Sequence, residues 1–225
     1  MCLRGRLAIA ERDGCSGEDF LLAVVAGYEV MGRCGYALSP SQLYRGFHPT
    51  SAAGPLGSVA ATGKLMDLDA GTMVQALAVS ASFCSGGTEC YKSGGEVKRY
   101  HGGIGAQGGI RAAMLAKLGL TGPSTVLEGP LGMRAFSDTY TPDAITAGLG
   151  ERFVVADLWT QKYSGNGLTH APVAGIESLR VRRSLSVAGS ERRVVASPRP
   201  PDNERRSAIM PRGPHRVQLS KTYAM

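Results

Sequence analysis

Glu96-Val97-Lys98-Arg99-Tyr100-His101-Gly102-Gly103-Ile104-Gly105-Ala106-Gln107-Gly108 is the stretch whose reading decides the fold. Gly103, Gly105 and Gly108 spell G-x-G-x-x-G, and Glu128 lies 20 residues beyond the last of them, the spacing of a dinucleotide-binding unit. That unit requires a buried strand before its first glycine. Glu96 to His101 offers two apolar residues and three formal charges among six, which is no buried strand. The hundred residues upstream read as helices rather than as strands alternating with helices. The stretch is therefore read as a polar segment running into a Gly- and Ala-rich helix over 103–118. The chain is read as mainly α, with dinucleotide binding through Gly103, Gly105 and Gly108 kept only as an alternative.

Working outward, Ser16-Gly17-Glu18-Asp19 forms a capping box, and the run from Phe20 to Met31 is apolar on nearly every face, which marks a central helix. Ser51 to Met66 is small and apolar, suited to helices packed at short range. Asp69 caps a helix from Ala70 to about Cys84, Gly119 suits the residue just past a helix end, and Pro142 to Leu149 reads as a brief helix. Arg152 to Leu158, with Phe153-Val154-Val155, is the one segment of strand character. The expected organisation is a helical domain over 1–150, the start of an α+β region over 151–176, and an Arg/Pro-rich tail over 177–225. That tail has no sustained apolar period and is read as disordered.

Composition sharpens this division. The chain carries a formal charge of +7, yet residues 1–176 hold 14 basic and 14 acidic side chains, and the excess lies wholly after Glu177. The basic character belongs to the tail, which lacks interleaved aromatics, so nucleic acid is not the expected partner. The five cysteines show no paired metal-ligand spacing and read as reduced thiols of a cytoplasmic protein, with no metal expected. Phe20 to Tyr28 is about half of a membrane span, and no signal peptide is evident, so no membrane association is expected.

Three polar islands interrupt the apolar helices: Gly46-Phe47-His48-Pro49-Thr50-Ser51, the Lys98–His101 stretch, and Lys162-Tyr163 … Thr169-His170-Ala171. Pro49 restricts His48 to extended backbone, and a histidine near neutrality serves proton transfer. Lys98 and His101 beside a helix start would hold a carboxylate or phosphate. The islands are expected to converge on one anion-binding site, with Lys162 and His170 completing it.

These residues carry a resemblance. The segments Leu21-Leu22-Ala23-Val24-Val25-Ala26-Gly27-Tyr28-Glu29-Val30, Gly46-Phe47-His48-Pro49-Thr50, Val97-Lys98-Arg99-Tyr100-His101, Gly109-Ile110-Arg111-Ala112-Ala113 and Leu118-Gly119-Leu120-Thr121-Gly122-Pro123 closely resemble the MmgE/PrpD family, in order and spacing, over about residues 7–176. The resemblance implies a helical domain followed by a smaller α+β domain. It implies cofactor-independent lyase chemistry on small polycarboxylates, such as dehydration of 2-methylcitrate-like or decarboxylation of cis-aconitate-like acids, in a homodimer. It also implies that His48, Lys98 and His101 are catalytic and that Lys162 and His170 bind substrate. The family's Asp … Thr … His-Pro-Gly segment is expected upstream of Cys15, where this sequence has no room for it, and the pattern stops near Ile176. The expected reading is thus a homologue truncated at both ends, its tail resembling unrelated or out-of-frame coding. The alternative is an inactive relative that binds without turnover.

Overall fold

Helix-start signals in the sequence sit where helices begin. A computed structural model describes residues 3–158, 160–163 and 169–183. After α1 (Leu3–Asp13), the capping box at Ser16 opens α2 (Gly17–Leu38): the Asp19 N–H donates to Ser16 Oγ at 3.1 Å and the Ser16 N–H donates back to the Asp19 carboxylate at 3.3 Å. A four-residue turn, α3 (Ser41–Tyr44), leads to α4 (Pro49–Leu65), which has His48 at its N-cap. Asp69 caps α5 (Ala70–Ser80), accepting from the Thr72 N–H at 2.9 Å, and a 3-10 turn over Ala81–Phe83 extends it. The short α6 (Cys90–Ser93) precedes α7 (Val97–Lys117), behind which Gly119 takes a left-handed φ of +94° as the sequence suggests. Two 3-10 turns and α8 (Asp143–Thr146) complete the first unit, which ends at Asp157. The second unit begins at Leu158, and its described part is led by α9 (His170–Arg183). The tail expected to be disordered from 177 is corrected in its first part, since 177–183 continue this helix, and residues 184–225 lie outside the described residues.

The core is built around α4. Nearly every residue from Ser51 to Leu65 is buried, because α2 covers one side and α7 the other. Small side chains make this approach feasible. Gly105 of α7 faces Gly54 of α4, and a Cβ placed there would lie 3.4 Å from the Gly54 Cα. A Cβ on Gly109 would fall 2.5 Å from the Val59 N and 2.6 Å from the Pro55 O, well inside van der Waals contact. The apolar clusters on either flank are accordingly rich in alanine, with Val59, Val79, Leu56, Leu38 and Met133 as the larger fillers. Burial of this small-residue surface replaces bulk with proximity, and dispersion is gained through many short contacts.

Three expectations are corrected here. First, α7 begins at Val97, not at Gly103, so Gly103, Gly105 and Gly108 lie inside a helix and form no phosphate-binding turn. Gly105 closes the helix on α4, and Gly108 meets Phe83. Gly103 is exposed on the outer face of the helix, the other two serve packing, and the dinucleotide alternative falls with them. Second, 152–158 is not a strand: Val154–Asp157 is a 3-10 turn, and no strand occurs among the described residues beyond one isolated bridge between Phe47 and Gly87. Its apolar run has no neighbouring strand to pair with. It instead sends one side chain, Val154, against α2 where Gly32 leaves room. Third, α2 is 22 residues, long and apolar enough to cross a bilayer on length and composition. Here it packs on α1 and α4 and carries a buried ion pair, the Arg33 Nε donating to Glu29 at 2.6 Å.

That pair anchors the 145–154 segment. The Arg33 guanidinium donates to the carbonyls of Ile145, Ala147, Gly148 and Arg152, and the second oxygen of Glu29 accepts from the Val154 N–H at 2.7 Å. Both charges are thereby satisfied away from water, which a buried pair requires.

A matched pair of substitutions tests the close approach of α4 and α7. Gly109→Ala is expected to cost about 1–3 kcal/mol through overpacking. Gly103→Ala, on the exposed face of the same helix with nothing within 4 Å, is expected to gain about 0.5–1 kcal/mol. Urea denaturation of both variants reads the difference, and equal effects would contradict the packing described.

Candidate functional site

A proline inside a helix sets up the site. Pro55 has no N–H to give to the carbonyl four residues back, which leaves the Ser51 O free in the middle of the buried helix. The Ser85 N–H takes that vacancy at 3.3 Å. The loop that follows is drawn over the N-terminus of α4: the His48 N–H donates to the Gly86 O at 2.8 Å, and the Thr88 N–H donates to the Gly46 O at 2.9 Å. Gly86 has φ +91°, and a Cβ there would sit 2.5 Å from the Ser51 Oγ and 3.3 Å from the His101 Cε1. A side chain there would be strained and would have to displace Ser51. The Ser51 Oγ, buried beneath this loop, makes no hydrogen bond.

His48 has φ −71° and ψ 120°, the extended geometry imposed by Pro49, and its side chain does not cap the helix. It turns instead to α7, where its Nδ1 lies 2.9 Å from the Nδ1 of His101 in a buried hydrogen bond. The ring centroids are 5.0 Å apart with planes inclined by 43°. Lys98, one turn before His101, lies on the same face of α7. It is half-buried, whereas Arg99 and Tyr100 between them are exposed. The expected arrangement of a lysine and histidine ahead of a helix start is thus corrected: both lie within the helix, and what they share is a face rather than a terminus.

An Nδ1–Nδ1 hydrogen bond between two neutral imidazoles admits one proton, so the two rings hold complementary tautomers. The ring that donates has a bare Nε2, a base. The ring that accepts carries its proton on Nε2, an acid. The pair is therefore an acid and a base side by side, whichever ring holds the bridging proton. His48 is pushed down from 6.5 to about 4, first by burial and then by its neighbours His101 and Lys98, which keeps it neutral through the physiological range.

Tyr91 also belongs to this cluster, and it is not among the site residues expected from the sequence. Its ring stands almost perpendicular to that of His48, with centroids 6.1 Å apart, and the Lys98 Nζ lies over its face, 4.8 Å from the centroid. The one signal for it in the sequence is an aromatic set alone among small polar residues seven positions before Lys98.

Two of the three islands therefore meet. The third lies in the second unit and forms a cluster of its own. There the Lys162 Nζ donates to the Glu177 carboxylate at 3.0 Å, the Tyr163 hydroxyl donates to the same oxygen, and the Tyr163 and His170 rings meet edge to face at 5.5 Å. Hydrogen bonds to Tyr163 and Glu177 raise Lys162 above the usual lysine range. Among the described residues no group of three or more His, Cys, Asp or Glu side chains gathers as metal ligands would. Two open clefts, of about 410 and 720 Å³, lie elsewhere and involve neither histidine.

Residues 3–144 match the MmgE/PrpD N-terminal domain. The chain is 38% identical to human cis-aconitate decarboxylase over 131 residues, 58% of this chain and 27% of that protein. It is 32% identical over 176 residues to the cis-aconitate decarboxylase of Aspergillus terreus, covering 74% of this chain and 36% of the relative. The mouse enzyme of the same name is 36% identical over 129 residues, 57% of this chain and 26% of its own length. The chain thus spans about a quarter to a third of the length of these relatives.

The neutral state of His48 carries a consequence for stability. Its protonation midpoint is about 4 when folded against 6.5 as the ordinary value, so between those limits the unfolded chain binds a proton that the folded chain refuses. Stability is expected to be level in this respect above about pH 6.5 and to fall as pH drops toward 4. His48→Gln is expected to remove that component, as read by urea denaturation at pH 7.5, 5.5 and 4.5.

Proposed function

The chain belongs to the MmgE/PrpD family, and on that premise we propose that His48, His101 and Lys98 carry proton transfer on a small polycarboxylate, in the manner of a lyase. The observation that carries this reading is the buried 2.9 Å bond between the two imidazoles, which sets a base and an acid next to an ammonium. Lys98 holds a substrate carboxylate by charge-assisted hydrogen bonds. For dehydration, the bare Nε2 takes the proton from the carbon beside a carboxylate, the C–O bond breaks, and the other ring's Nε2–H protonates the departing hydroxyl as water. For decarboxylation, carbon dioxide leaves with the carbon–carbon bond pair remaining on the substrate, and an Nε2–H delivers the proton to that carbon. In both cases negative charge builds next to Lys98, where a fixed cation stabilises it. These steps use this chain's own side chains and no cofactor.

A cis-aconitate-like acid is the substrate we favour, since the relatives at 32–38% identity bear that name; a 2-methylcitrate-like acid is the second choice. The resemblance adds Lys162 and His170 as further carboxylate-binding groups, a homodimeric assembly and a cytoplasmic setting. The competing reading is a helical binding protein without turnover. It is supported by the small share of the relatives' length that this chain spans.

Turnover on cis-aconitate and 2-methylcitrate, followed by proton NMR of the products, separates the two. The wild-type chain is expected to consume one of these acids, and His48→Ala and His101→Ala to lose about 10²–10⁴-fold of the rate. A folded wild-type sample that binds the acids without converting them favours the binding protein. A His48→Ala variant of undiminished rate rules out the mechanism.

A further inference from the structure

A lysine side chain ends in a strongly hydrated charge on four rotatable bonds and by default extends into water. Position on α7 alone therefore does not keep the Lys98 ammonium near the histidines. The usual device for holding a lysine is a carboxylate. Arg99 next door pairs with Glu96, and Lys162 pairs with Glu177. Among the described residues no carboxylate pairs with Lys98. Its end group rests instead on the face of Tyr91, 4.8 Å from the ring centroid.

We propose that Tyr91 is a positioning residue that fixes the Lys98 ammonium beside the His48–His101 pair without neutralising it. A carboxylate would cancel the charge and occupy the N–H donors. An aromatic face attracts the cation through its quadrupole and leaves the full charge and the outward N–H groups for a ligand's carboxylate. The ring is well placed to do this because its backbone belongs to the same tied loop as His48. The Tyr91 N–H donates to the Thr88 O at 2.9 Å, and the Thr88 N–H donates to the Gly46 O at 2.9 Å, two residues before His48. The ring meets His48 at 81° and 6.1 Å, so one aromatic side chain spans from the α4 histidine to the α7 lysine. Partial burial raises the Tyr91 phenol above its ordinary range. This role rests on the reading of Lys98 as the site's carboxylate-binding cation.

The test is made without substrate, so its outcome is independent of whether the protein turns over an acid. The charged or titratable groups facing His48 are His101, Lys98 and Tyr91, and the Lys98 charge helps hold the His48 midpoint at about 4. NMR titration of the His48 Cε1–H signal reads that influence directly. Lys98→Met is expected to raise the midpoint, by up to about one pH unit. Tyr91→Phe keeps the aromatic face and is expected to leave it where it is. Tyr91→Leu releases the ammonium and is expected to raise it as far as Lys98→Met does. Adding Tyr91→Leu to Lys98→Met is expected to raise it no further, the mark of a residue acting through another. A Tyr91→Leu shift of full size in the Lys98→Met background would assign Tyr91 to burial alone and overturn the proposal, as would no shift from Tyr91→Leu in the parent. Should Tyr91→Leu fail to fold, mono-, di- and trifluorinated phenylalanines at position 91 weaken the face with little change of shape. A stepwise rise of the His48 midpoint with fluorination supports the proposal, and an unchanged midpoint overturns it.

Discussion

The close approach of α4 to α7 is the constraint on which the rest depends. His48 lies at the start of one helix and His101 inside the other, so the length of the bond between them is set by how near the two axes run. Gly109 allows that nearness because a β-carbon there would overlap the α4 backbone, while Gly54 and Gly105 meet at ordinary contact distance. The alanines and serines around them continue the same surface. A pair of ordinary leucine-faced helices would stand farther apart, and the two imidazoles would then face each other across a gap. The composition that at first sight suggests a nucleotide-binding loop is the reason the histidines touch.

A second constraint acts at the other end of the site. Pro55 is a defect in the hydrogen-bond ladder of α4, and the carbonyl it frees is taken up by Ser85. Interior prolines usually cost helix stability. Here the loss is offset by tying down the loop that closes over Ser51 and His101 through Gly86. The resulting environment is dry enough to hold His48 neutral and open enough to leave Lys98 half exposed. The two lysines read as site residues from the sequence have opposite fates in this respect. Lys162 is already matched by Glu177 within its own unit, whereas Lys98 is held by an aromatic face. Among the described residues, the charge without a carboxylate partner is the one beside the histidine pair.

Much of this was legible in the residues. The capping signals at Ser16 and Asp69, the glycine at 119, and the direction imposed on His48 by Pro49 are local effects, and each appears where the sequence places it. The sequence groups Lys98 with His101 ahead of a helix start, whereas the helix around them starts six residues earlier than its apolar pattern suggests. The polar first turn of α7 hid that start. What the sequence could not show depends on tertiary partners. Phe153-Val154-Val155 has the composition of a strand, but among the described residues no strand lies beside it to pair with, and Arg33 and Glu29 claim the adjacent backbone groups instead. Tyr91 was passed over because its value lies entirely in what stands on either side of it. The expected junction of all three islands involves two units, and the two islands that meet belong to the first.

On the proposed mechanism, the shared proton of the histidine pair has a consequence for successive reaction cycles. In a dehydration, one ring gains a proton at Nε2 and the other loses one, and the bridging proton crosses from the first Nδ1 to the second. Both rings end neutral, but their roles are exchanged: the former acid is now the base. The pair therefore keeps a record of the last event, and the next substrate meets a mirror-image catalyst until the Nε2 sites trade protons with water. A decarboxylation draws one proton from the pair and leaves it to be refilled from solvent, so it has no such alternation. Two reactions that differ by a single proton would thus be distinguished less by the residues present than by how the site is reset between turnovers.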